Sequence, residues 1–99
     1  MINFLDYPIE VEGHSVTLIE FVIDGDLAPA ALDCDFPSID ATKGVVLSGR
    51  GPVWLYGALI HHYHVSRWLG TYDPRLGIVV VSTHHPDSPK VGTVLPFRA

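Results

Sequence analysis

Cysteine is nearly missing from this chain. Cys34 stands alone among 99 residues, which excludes a disulfide framework and a paired-cysteine zinc site and fits a reducing, cytoplasmic setting. No apolar run approaches the ~18 residues of a membrane span, and no basic stretch leads into an apolar one at the N-terminus, so a soluble, unsecreted protein is expected. Lys and Arg are absent from residues 1–40, which carry nine of the eleven acids. Residues 41–99 hold all six Lys and Arg against only Asp73 and Asp87, together with five of the six histidines. The net charge of −5 therefore hides a split, a half at −9 and a half at +4. It implies an acidic outer half and a half that tolerates anions.

A chain this short makes one domain, residues 1–99, and buries only about two-thirds of its unfolded surface. Part of its stability is thus expected from a partner subunit. Residues 2–12, interrupted by polar side chains and Pro8, read as an edge strand ending in a Gly13 turn. Residues 16–23 are rich in β-branched side chains and read as a strand paired to it. Pro29 to Leu32 has room for one helical turn before Pro37. Residues 44–47 form a short buried-strand pattern. Pro52 suits a helix start, and the segment from there to about His64 is apolar on almost every side. Such a helix is expected between a sheet and a second body, such as its own copy in a dimer. Residues 68–72 close a β-α-β crossover with parallel strands. Asp73-Pro74 opens a turn completed by Gly77, so residues 76–82 return antiparallel. Residues 91–97 read as a last edge strand. The fold class expected is a small α/β domain, a mixed sheet with one long buried helix.

Chemistry-bearing residues gather at the junctions of these elements. Ser48, Gly49, Arg50 and Gly51 lie between a strand and a helix, where backbone N–H groups and the positive helix end can hold an anion. Arg50 adds a planar fork suited to phosphate. The corner departs from both the dinucleotide fingerprint and the P-loop, and the same glycines also suit a plain tight turn. His61 and His64 lie 60° apart on a helix and face each other, so one metal ion or one phosphate can touch both. Asp73 and His84, at strand ends, are candidates for the further ligands that a zinc or manganese site needs. The histidine end of the helix lies about 15–20 Å from Gly51. One small ligand within one subunit therefore cannot use both. Cys34 between Asp33 and Asp35 is a poor nucleophile, and the aromatic residues suit a core as well as base stacking.

The segments SGRGPVWLYG, HHYH, YDPRLG and VVVSTH together resemble the third class of CRISPR-associated ring nuclease (the Csx-three type) of type III CRISPR systems. The likeness is close over residues 40–85, and the first 40 residues carry none of these motifs. It implies a Rossmann-like fold related to the CARF sensor domains, a dimer, manganese dependence and degradation of cyclic tetra-adenylate. Trimming of linear oligoadenylate RNA ends, and a sensor module that binds the cyclic nucleotide without cutting it, are the alternatives. By resemblance His64 and Asp73 are catalytic, His61, Arg75 and His84 complete the polar site, and Ser48, Gly49 and Arg50 hold the ligand. Because that ligand is large and two-fold symmetric, it can lie on a dimer axis. A site shared between dimers, as a ligand-bridged tetramer or a head-to-tail filament, then becomes the expectation.

Overall fold

Alternation of apolar side chains along the first 23 residues builds a hairpin that starts the sheet. The computed structural model describes all 99 residues. β1 (Ile2–Val11) and β2 (His14–Ile23) pair antiparallel, with Val11 opposite His14. The two residues between them, Glu12 and Gly13, both take positive φ (47° and 82°), the turn whose twist matches that of the strands it joins. Pro8 is accommodated because β1 is an edge strand. Residues 24–43 then cross to the far end of β2 with only a single 3-10 turn, Pro29–Leu32.

β3 (Gly44–Ser48) adds to β2 in parallel, and β4 (Trp68–Asp73) adds to β3 in parallel after α1 (Val53–Tyr63). β5 (Gly77–Thr83) returns antiparallel, and β6 (Val94–Leu95) closes the order β1-β2-β3-β4-β5-β6. The expected mixed α/β sheet with one helix is formed. Its strand order never reverses, and the two parallel connections, β2 to β3 and β3–α1–β4, both cross on the face that α1 covers.

The sheet separates two apolar clusters. Val16, Leu18, Val46, Trp68, Ile78, Val80 and Leu95 fill one face. Ile19, Phe21, Val45, Leu47 and Leu69 fill the other, under Leu55, Leu59 and Tyr63 of α1. Each of those three helix side chains is at most 1% exposed, and burying each contributes about 1.5–3 kcal/mol before chain entropy is counted. Residues from the 24–43 crossing (Leu27, Leu32, Phe36, Ile39) pack on the same cluster. The Tyr63 hydroxyl donates to the Pro37 carbonyl at 2.6 Å. Burial, with the charges of Asp6 and Cys34 behind it, pushes the Tyr63 phenol up to about 12.

Two expectations change. The helix buries only Leu55, Leu59 and Tyr63 in the single chain, and Val53 is 85% exposed on its outer side, so its all-round apolar sequence is not matched by all-round burial. The last strand is two residues rather than the seven of 91–97. Gly92 takes φ 91° and Thr93 N–H bonds back to the Lys90 carbonyl, making a turn where strand was expected, and Pro96 offers no N–H to continue the ladder.

Candidate functional site

The carboxyl ends of β3 and β4 form the upper edge of the sheet. Leu47 lies opposite Thr71, so Gly49 and Asp73 leave the sheet side by side two residues later. Neither Gly49 nor Gly51 tolerates a larger residue. A Cβ on Gly49 would meet the Phe21 carbonyl oxygen at 2.5 Å, and one on Gly51 would meet the Phe21 ring at 2.9 Å. The glycines are therefore required by close backbone approach as well as by any ligand. Ser48 is 8% exposed, and Arg50 is exposed beside Phe21, Val22 and Ile23.

The start of α1 offers donors. Its N-cap is Pro52, which supplies no side-chain acceptor, so the first-turn N–H groups of Val53 and Trp54 have no capping side chain. No acid sits in that first turn. An anion at this corner meets unpaired donors and the positive helix end. The Tyr56 hydroxyl donates to the Gly49 carbonyl at 2.7 Å. That contact ties the helix to the corner, and burial raises the Tyr56 phenol. Sequence reasoning weighs Tyr56 only for base stacking or core packing and does not anticipate this bond. Its position seven residues after Gly49 was the available signal.

Asp73 is both a turn cap and a rim carboxylate. Its Oδ1 accepts from the backbone N–H groups of Arg75 (2.8 Å) and Leu76 (3.3 Å), the side-chain turn that Asp favours. The Arg75 Nε lies 3.9 Å from the same oxygen, on a side chain that is 90% exposed. Its guanidinium therefore projects into solvent. Asp73, Tyr56, Ile60, Thr71, Tyr72, Val79 and Val81 border an apolar groove of about 440 Å³ between α1 and the β4–β5 pair.

The lower edge carries the histidines. His61 and His64 stack with ring centroids 5.8 Å apart and planes 17° apart, as their helical spacing predicts. His84 follows β5, and its ring lies 6.1 Å from that of His64. His64 Nδ1 is 2.8 Å from the His61 carbonyl oxygen. A carbonyl only accepts, so Nδ1 carries the hydrogen and the neutral ring keeps its lone pair on Nε2. His62 points away and packs edge-on against Phe36 at 5.0 Å. Arg67 Nη2 donates to His85 Nδ1 at 3.0 Å, a pair that sequence reasoning missed because the two residues are 18 apart and meet only through the β4–β5 register.

The expected ligand set of His61, His64, Asp73 and His84 does not assemble in one chain. Trp68 pairs with Thr83 and Asp73 with Gly77, so His84 and Asp73 lie at opposite ends of β4, about 17 Å apart at 3.3 Å per residue. Both follow strand ends, but antiparallel pairing sends them to opposite edges. No three His, Cys, Asp or Glu side chains are placed to hold a metal. Manganese prefers oxygen donors beside imidazole, and the histidine edge of a single chain does not fit it.

These features define a small mixed α/β domain with one helix, an anion-suited corner at one sheet edge and an imidazole cluster at the other. The family model described as CRISPR-associated protein (Cas_csx3) matches residues 20–96. The chain is also 51% identical over 89 residues to a protein of Aquifex aeolicus (strain VF5) described as an uncharacterized protein, an alignment covering 83% of this chain and 78% of that one. The chain belongs to the Cas_csx3 family of CRISPR-associated proteins. No helix is long and apolar enough to cross a membrane.

Proposed function

We propose that the chain is a ring nuclease, a metal-dependent phosphodiesterase that opens cyclic tetra-adenylate. The observation that supports this most is the upper edge, which carries the uncapped N–H groups of α1, the exposed Arg50, the projecting Arg75 and the rim carboxylate of Asp73. Such an edge suits a phosphodiester held by backbone donors and guanidinium forks. In this reading a ribose 2′-hydroxyl attacks the adjacent phosphorus, the 5′-oxygen of the next nucleotide leaves and takes a proton from water, and a 2′,3′-cyclic phosphate results. The attack needs a base, and His64 has a free Nε2 lone pair for that task. Arg75 neutralises charge on the phosphate.

Because His64 and Asp73 lie at opposite edges of one chain, the reading requires two copies. The upper edge of one dimer holds the ligand while the lower edge of another reaches it, in a tetramer or a head-to-tail stack. Manganese dependence belongs to the same proposal and needs imidazoles of one copy to meet a carboxylate of another. The test compares turnover of cyclic tetra-adenylate and linear tetra-adenylate, with manganese and with chelator. Manganese-dependent loss of the ring, faster than loss of the linear strand, is expected. Faster cleavage of the linear strand marks an exoribonuclease instead, and tight binding without turnover marks a sensor.

A further inference from the structure

A second cluster of positive charge lies on the other flank of the Asp73 turn. Pro74, Arg75, Leu76 and Gly77 form one wall of a cleft of about 370 Å³, and Pro96, Phe97 and Arg98 form the other. Its size is in the range of small-molecule sites. The tail that carries Arg98 is anchored: Leu95 pairs with Ile78 and is 7% exposed. The Phe97 ring packs edge-on against Tyr72 at 6.0 Å. Gly77 takes φ 111°, and a Cβ there would meet the Leu95 carbonyl oxygen at 2.5 Å, so turn and tail are pressed together.

Two guanidinium groups border this cleft without a strong partner. Arg98 takes part in no ion pair, and Arg75 approaches only the Asp73 oxygen already engaged by two N–H groups. Pro74 borders both this cleft and the α1 groove, so the cleft continues the upper edge. We propose that it is a second phosphate subsite, in which Arg98 holds a phosphate next to the one at the Gly49 corner, with Arg75 on the intervening turn shared by both. Paired guanidinium forks match the several acceptor oxygens of a phosphate, and the half of the chain that supplies them carries the positive balance. That the phosphate belongs to an oligoadenylate rests on the function proposed above.

The test measures affinity for inorganic pyrophosphate and for linear tetra-adenylate across a salt series, in wild type, Arg98→Gln and Arg98→Lys. Arg98→Gln is expected to bind both about tenfold more weakly, the loss of one charge-assisted contact, while Arg98→Lys retains part of the affinity. The slope of log affinity against log salt for the oligonucleotide should fall by about 0.7. Melting temperature should not move, since Arg98 is exposed. Equal pyrophosphate affinity in wild type and Arg98→Gln overturns the subsite, whatever the oligonucleotide does. Arg98-dependent pyrophosphate binding with no oligoadenylate binding keeps the subsite and overturns the oligoadenylate reading.

Discussion

The two edges of the sheet carry comparable numbers of polar groups but hold them in different ways. At the upper edge the corner and the carboxylate are held in place, Gly49 by contact with Phe21, its carbonyl by the Tyr56 hydroxyl and Asp73 by the turn it caps, while Arg50 and Arg75 reach into solvent. At the lower edge, three imidazoles touch mainly one another, and His64 keeps a free nitrogen. Rigid donors suit ground-state binding, and uncommitted imidazoles suit proton transfer. Under the proposed function, holding falls to one edge and chemistry to the other, with Asp73 as the residue that does not fall cleanly on either side.

The largest effect expected is at Asp73, where two substitutions separate its roles. Asp73→Asn keeps an oxygen for the Arg75 and Leu76 N–H groups but removes the charge. Turnover of cyclic tetra-adenylate should fall about 10²-fold or more, with the melting temperature unchanged. Asp73→Ala should also lower stability by about 1 kcal/mol, the loss of a turn cap. If Asn retains full activity, the carboxylate is structural and belongs with the upper-edge scaffold.

Mixing sharpens the contrast next. Arg50→Ala and His64→Ala proteins, each deficient alone, should together recover part of the activity, because an intact upper edge on one dimer can meet an intact lower edge on another. Specific activity should also rise with enzyme concentration. Strict proportionality to concentration and no rescue would place both functions within one dimer.

Arg50→Ala alone should weaken ligand binding about tenfold, as expected for one charge-assisted phosphate contact. An unchanged dissociation constant would leave the corner with a turn's role only.

The smallest effect concerns Tyr63, beneath the lower edge. Its phenol is raised from 10 to about 12 in the folded chain, so the stability it contributes is complete below pH 10 and is lost as pH rises from about 10 to 12. Tyr63→Phe should flatten part of that alkaline decline in a thermal-melt series. An unaltered decline would mean that other groups carry it.

Much of this arrangement was legible in the chain itself. Alternation along β2, Pro52 before an apolar segment and Asp73-Pro74 before Gly77 are local signals, and each element formed near its expected bounds. The stacking of His61 on His64 followed from helical spacing. What was not legible depends on register. His84 and Asp73 both end strands, and only the β4–β5 pairing reveals that they end at opposite edges. The α1 contacts show the same limit, because an apolar segment announces that it can be buried but not which of its sides the sheet covers. The last strand is shorter than expected for a local reason, since Gly92 takes the positive φ of a turn.

The uninterrupted order of the six strands also constrains how the sheet can be assembled in time. No strand has to insert between two that are already joined, so each can add to an open edge as it follows the previous one out of synthesis. The exception in difficulty is the third strand. It must wait for residues 24–43 to span the hairpin with almost no regular structure to guide them, and the entropy of closing that loop falls on a parallel pairing with little local help. The hairpin of residues 2–23 thus has only local contacts to make, while its joining to the strands that carry the proposed chemistry waits on that one closure.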